Sequence, residues 1–247
     1  MSRLKGRGPA ALSVRGISKA FLEKNGELEV LSDVSFDIEK GELVCVLGPS
    51  GCGKSTLLKI VAGLESPDRG DVSVDGRTVS GPGLDRCVVF QEDALFPWLT
   101  VAENVAFGAK GRMAKSELRS EVNRHLEMTG LSRFADYLPR EISGGMKQRV
   151  ALARVLILKP KVLLMDEPFG ALDAQTREAM QELLLSLIED HSYTVMFITH
   201  DVGEAAAIAD RVIVMDRSPG GIKAFLSTDG LDPTEVRSEL RSIMKDR

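Results

Sequence analysis

The stretch Gly48-Pro49-Ser50-Gly51-Cys52-Gly53-Lys54-Ser55-Thr56 has the residue types and spacing to hold a chain of phosphates. Its glycines let the backbone turn tightly and aim several N–H groups at one anion, with a helix N-terminus behind them. Lys54 is placed to reach the β- and γ-phosphates, and the Ser55 hydroxyl to ligate Mg²⁺. The chemistry implied is binding of a nucleoside triphosphate. Further along, Val162-Leu163-Leu164-Met165-Asp166-Glu167 ends an apolar run on two carboxylates. One acid at such an edge can hold Mg²⁺ through water while its neighbour polarises an attacking water. Thr194-Val195-Met196-Phe197-Ile198-Thr199-His200 repeats the design with an imidazole at the end, and Cys87-Val88-Val89-Phe90-Gln91 with an amide. Ser143-Gly144-Gly145 at a helix start could form a second anion site, although taken alone it reads as an N-cap with flexible glycines.

Positioning these groups requires strands that end where the polar residues begin. The run Leu43–Leu47 reads as a buried strand and Leu57–Leu64 as a helix, so the glycine-rich turn lies between strand and helix. The continuous apolar run before Asp166 suits a parallel strand buried on both faces. Residues 11–40 alternate as an antiparallel β-region, with a turn at Asn25-Gly26 and Phe21 read as a packing aromatic. Residues 101–155 are helical and charged, which interrupts the β/α pattern and reads as an inserted helical subdomain. Within it His125 reads as a solvated helix residue, and His191 as solvated in the turn after a helix over 174–188. The segment Phe96-Pro97-Trp98, with the chain's single tryptophan, fits core or docking surface equally well. Arg211–Asp216 reads as the last strand, followed by a turn at Ser218-Pro219-Gly220-Gly221. Residues 229–247 read as a charged helical tail that frays or makes a minor contact surface.

Composition narrows the class. The 247 residues suffice for one large α/β domain or two small ones. With 43% hydrophobic and 28% charged residues the chain has ordinary soluble-protein composition, and its net charge of −4 argues against a nucleic-acid partner. No stretch has the apolar length to span a bilayer, and Arg3, Lys5 and Arg7 are not followed by the apolar core of a secretory signal. The three cysteines, Cys45, Cys52 and Cys87, lack metal-ligand spacing. Cys45 and Cys87 read as buried free thiols, in keeping with a reducing compartment.

Taken together, the loop at Gly48–Thr56, Gln91, Ile142-Ser143-Gly144-Gly145-Met146, Asp166-Glu167, Ala171-Leu172-Asp173 and His200 resemble the ATP-binding cassette of ABC transporters. The resemblance covers nearly the whole chain. It implies an α/β P-loop NTPase fold with a mostly parallel core sheet, an antiparallel β-region and an inserted helical subdomain. The cassette would span 10–228, with the helical insertion at about 96–154 and the tail at 229–247.

The resemblance also implies roles. Phe21 would stack on adenine; Gly48, Pro49, Ser50, Gly51, Cys52, Gly53, Lys54, Ser55 and Thr56 would cradle the phosphates of ATP. Ser55, Gln91 and Asp166 would hold Mg²⁺, with Gln91 sensing the γ-phosphate. Glu167 would be the general base and His200 would touch the γ-phosphate. Ser143, Gly144 and Gly145 would close on ATP bound to a second ATPase subunit, with Asp173 communicating across that interface. Met146 and Ile142 depart from the family's usual glutamine and leucine, while the serine and glycines that would carry the anion contact are present. A finer resemblance, in 81–91, 96–108 and 166–177, is to the importer branch serving nitrate, sulfonates and taurine. It implies a peripheral subunit on the cytoplasmic face of the cell membrane, working with membrane permease subunits and an extracytoplasmic solute-binding protein. The alternatives are an exporter or lipid-handling ABC system, a soluble ABC ATPase, or a non-catalytic nucleotide switch.

Overall fold

The computed structural model describes residues 10–23, 26–217 and 219–245. The expectations that touch Arg3, Lys5, Arg7, Asn25 and Ser218 lie outside the described residues. Two sheets organise the chain. Strands β1 (Ala10–Glu23), β2 (Gly26–Glu39), β4 (Arg69–Val74) and β5 (Arg77–Thr78) form an antiparallel sheet in the order β2-β1-β4-β5. The second sheet contains β3 (Leu43–Leu47), β6 (Arg86–Val89), β7 (Val162–Asp166), β8 (Thr194–Thr199), β9 (Arg211–Met215) and β10 (Ile222–Ser227), in the order β10-β9-β3-β8-β7-β6. All its neighbours pair in parallel except β10, which runs antiparallel to β9 at the edge.

The central strands are nearly continuous apolar runs, with polar residues only at the ends of β7 and β8, because both faces of the sheet are covered. Successive side chains point to opposite sides. Leu43, Cys45 and Leu47 of β3 join Leu163 and Met165 of β7 and Val195 and Phe197 of β8 in one core. Helices α4 (Gly144–Leu156), α5 (Ala174–His191), α6 (Val202–Ile208) and α7 (Pro233–Lys245) supply the other half of that core. Val44, Val46, Leu164, Met196 and Ile198 face the other way, against α1 (Lys54–Ala62) and the antiparallel sheet. A third core lies among α2 (Val101–Ala106), α3 (Lys115–Met128) and α4. Helix α4 serves two cores: Leu152, Val155 and Leu156 pack toward the sheet, and Val150, Ala153 and Ile157 toward α2 and α3.

Four local expectations change. The strand at Arg211 is not the last, because β10 follows it; only Leu226 of β10 is buried, so its sequence carries little alternation. Helix α5 runs three residues past Ile188, to His191, which is exposed. The C-terminal helix is docked rather than frayed. Val236 and Leu240 are buried, with Ile243 and Met244 packed beside them, an i, i+4, i+7, i+8 stripe hidden in a charged composition. Burying each of those two side chains contributes about 1.5–3 kcal/mol. Asp232 caps the helix, its Oδ1 accepting from the N–H groups of Thr234 and Glu235. Among the cysteines, Cys45 and Cys52 are buried and Cys87 is half-buried, where burial pushes its thiol up to about 11.

The fourth change concerns His125, which is 1% exposed rather than solvated. It shares an inward stripe with Val122 and Leu126, and its Nδ1 lies 2.7 Å from the Glu121 carbonyl oxygen. Burial pushes its imidazole below the ordinary value. A depressed value means that the fold favours the neutral ring, so this stabilisation is complete above the ordinary histidine range and is lost as pH falls. Replacing His125 by Gln should therefore make the loss of Tm between about pH 7.5 and about pH 5 shallower than in the wild type. Equal slopes in a thermal-melt series would show that the ring does not contribute to acid sensitivity.

Candidate functional site

All five residues of β3 are buried, so the chain emerges from the sheet at a fixed point and must turn at once into α1. Gly51 and Gly53 make the turn with φ of 81° and 93°, conformations that a side chain would strain. Gly53 also lies against β2: a Cβ there would sit 2.7 Å from Leu31 Cδ2 and 2.9 Å from the Val30 carbonyl oxygen. Lys54 opens α1 yet is only 5% exposed, its Nζ donating to the carbonyls of Gly48 (2.8 Å) and Pro49 (3.0 Å). The ammonium is thus held at the mouth of the loop. Ser50, Gly51 and Ser55 are exposed.

The neighbouring strand ends bring the other predicted groups to the same edge. Asp166 closes β7, and its Oδ1 accepts from the Ser55 hydroxyl at 3.1 Å. Burial pushes this carboxyl up, the Ser55 hydrogen bond opposes that shift, and the charge of Glu167 adds to it. Glu167 has φ of 45°, uncommon for a residue with a side chain, and its N–H donates to the Ile198 carbonyl of β8. Its Oε2 lies 2.8 Å from His200 Nδ1, just beyond the end of β8. Gln91 is exposed two residues past β6, close enough to the following loop that a Cβ on Gly170 would lie 3.4 Å from its Nε2. A carboxylate bonded to an imidazole beside a lysine-bearing anion cradle can accept a proton from water next to a bound phosphate.

Other predicted residues stand apart from this edge. Ser143 caps α4, its Oγ accepting from the Met146 N–H at 3.3 Å. Ser143 and Gly144 are exposed, and among the described residues neither is hydrogen-bonded to the Gly48–Thr56 loop of the same chain. Gly145 is buried with no room for a side chain, since a Cβ would collide with the Thr176 methyl of α5. Asp173 caps α5, accepting from the Thr176 N–H (3.0 Å) and hydroxyl (2.7 Å), and these bonds hold its carboxyl below the ordinary value. Phe21 lies on β1, 38% exposed, with Lys19 Nζ 5.2 Å from its ring centre. Trp98 is 72% exposed, which makes the Phe96-Pro97-Trp98 segment surface at that residue. Its ring stands 5.7 Å from Phe96, which in turn lies 4.3 Å from Phe107.

Sequence reasoning missed Arg177, Thr199 and Glu204, which form a polar group directly behind His200. Only their nearness to Asp173 and His200 in the sequence hints at it.

A family model described as ABC transporter matches residues 31–170. The chain is 48% identical over 217 residues to the nitrate import ATP-binding protein NrtD of Synechocystis sp., covering 87% of this chain and 82% of that protein. It is 46% identical over 236 residues to the taurine import ATP-binding protein TauB of Pseudomonas aeruginosa, covering 95% and 90%. The dimeric post-hydrolysis structure of the ATP-binding cassette MJ0796 bound to ADP and Pi superposes with a TM-score of 0.77 at 33% identity. That match covers 89% of this chain and all of the other.

Proposed function

The chain belongs to the ABC transporter family of ATP-binding proteins, and from that premise we propose that it drives import of a small anion such as taurine, another sulfonate or nitrate. ATP is its substrate, cleaved to ADP and phosphate. The solute class is supported by the names of similar proteins, because the nucleotide machinery does not touch the cargo. The observation that carries the catalytic reading is the convergence of Lys54, Ser55, Asp166, Glu167 and His200 on one sheet edge.

In this reading the N–H groups of the Gly48–Thr56 loop and the Lys54 ammonium hold the β- and γ-phosphates. Glu167 accepts the proton of the attacking water, and His200, oriented through its Nδ1, contacts the γ-phosphate through its other ring nitrogen. Phe21 packs on adenine. The donor set of Ser55 hydroxyl, Asp166 carboxylate and Gln91 amide is all hard oxygen and suits Mg²⁺ shared with substrate phosphates. A cation there would also offset the burial that pushes Asp166 up. When bound, Mg²⁺ neutralises charge on the β- and γ-phosphoryl oxygens. The test is phosphate release by the purified chain, alone and with its permease, with and without a divalent cation. No turnover in any condition would overturn the reading.

Ser143 and Gly144, exposed at the start of α4 and unattached to their own phosphate loop, are free to close on ATP held by a second copy, with Asp173 at the same interface. Among the described residues no helix is long and apolar enough to cross a membrane. The pore is assigned to separate permease subunits, with this chain peripheral on the cytoplasmic side and a solute-binding protein supplying cargo outside. The exposed aromatics Phe90, Trp98 and Phe107 are the surface proposed to receive a permease helix. Trp98→Ala should cut transport by the reconstituted complex about tenfold or more, the loss of one interface anchor, and change ATPase activity of the isolated chain less than about twofold. Normal assembly and transport without the indole would reject this surface.

A further inference from the structure

The His200 ring is more than half exposed and meets Glu167 through Nδ1, so its direction also depends on how the backbone beneath it is held. Its backbone is fixed from behind. The buried Thr199 hydroxyl donates to Glu204 Oε2 at 2.6 Å and accepts from the Asp201 N–H at 2.9 Å, so one side chain spans the histidine on both sides. Asp201 Oδ1 in turn caps α6 by accepting from the Gly203 and Glu204 N–H groups. Glu204 is only 6% exposed, and burial pushes its carboxyl up, with Thr199 and Arg177 among the groups pulling it back.

Arg177 connects this assembly to another loop. Its Nη2 donates to the Leu172 carbonyl at 3.0 Å, beside Asp173. Its Nε lies 3.8 Å from Glu204 Oε1 and its Nη1 3.7 Å from Asp201 Oδ2. Arg177 also follows Thr176, the residue whose methyl fills the space where Gly145 lacks a Cβ. A continuous packed path therefore runs from the start of α4, through the first turn of α5, to the backbone that carries His200.

The geometry points to Arg177 and Glu204 as positioning residues that set the His200–Glu167 pair and tie it to the Leu172–Asp173 loop. This rests on the reading above that His200 acts at the phosphate. A planar guanidinium suits the task, because its separate nitrogens bond a carbonyl and face two carboxylates from fixed directions, whereas an ammonium presents all its donors from one point on a flexible stem. Glu204, hydrogen-bonded by Thr199 and facing the Arg177 cation, thereby braces the backbone that carries the imidazole.

The test uses the full chain with ¹⁵N-labelled histidine. Its three histidines make the ring spectrum assignable, with His191, exposed at the end of α5, as internal reference. Arg177→Met should move the His200 ring signals and leave those of His191 in place. The same variant should lower kcat about tenfold with KM for ATP held within about twofold, as misplacement of a reacting group does. Arg177→Lys should recover part of the loss. Unmoved His200 signals, or a loss carried by KM alone, would overturn the assignment. Should Arg177→Met fail to fold, Glu204→Gln decides, since it keeps an acceptor for Thr199 and loses the charge that faces Arg177. Shifted His200 signals with lowered kcat support the assignment, and wild-type behaviour overturns it. His200→Ala with wild-type turnover would instead defeat the parent reading, an outcome distinct from either.

Discussion

Glu167→Gln should bind ATP as the wild type does and hydrolyse it at least about 100-fold more slowly, the usual scale of a lost general base. The amide has the same shape and can still pair with His200 Nδ1, so the site's geometry is retained. What it cannot do is take a proton from water. The substitution also removes one negative charge beside Asp166, whose carboxyl the charge of Glu167 helps to raise. Nucleotide affinity should therefore hold or improve. Single-turnover phosphate release alongside fluorescent-nucleotide titration separates the two quantities. Turnover near the wild-type rate would remove Glu167 from the role of base. The same variant tests the assembly: loaded with ATP it should sediment as a dimer, and a monomer both free and in the transporter would exclude a shared site.

Lys54→Met should fail one step earlier. Its Nζ is a buried cation held by two carbonyls of the loop that it serves, and methionine keeps an unbranched stem one atom shorter, without the charge. Losing a charge-assisted contact to phosphate removes roughly 1.5–3 kcal/mol, about 10- to 150-fold in ATP affinity. Isothermal titration with a non-hydrolysable ATP analogue measures this directly. Affinity within threefold of the wild type, a difference of about 0.6 kcal/mol, would place the lysine outside the phosphate contacts. Glu167→Gln separates chemistry from binding, and Lys54→Met shows that binding comes first.

Much of this site was legible in the sequence because its parts are local. The Gly48–Thr56 loop, with the strand before it and the helix after it, occupies one continuous stretch, and Asp166, Glu167 and His200 each stand where an apolar run stops. Parallel strand ends then bring them together. What the sequence hid depends on register between distant elements. Arg177 and Glu204 are 27 positions apart, and only the packing of α5 against α6 makes them neighbours. His125 looked solvated because its helix is charged on most faces, and the inward stripe is only Val122, His125 and Leu126. The tail looked frayed for the same reason, until the spacing of Val236 and Leu240 met the hollow beside α6. Trp98 was ambiguous because an aromatic run does not say which side of the surface it lies on.

Helix α4 is rooted in the main core at Leu152, Val155 and Leu156 and carries Ser143 at its far tip. Its thirteen residues make a rigid arm about 20 Å long. A swing of about 10° at the root moves the tip by about 3 Å, the span of one hydrogen bond. Gln148, partway along, donates to the Phe90 carbonyl, which ties the arm to the residue preceding Gln91. On the proposed reading that Ser143 meets a nucleotide held by a second copy, such a helix would act as a lever, turning a small rotation at its root into the opening or shutting of that pocket.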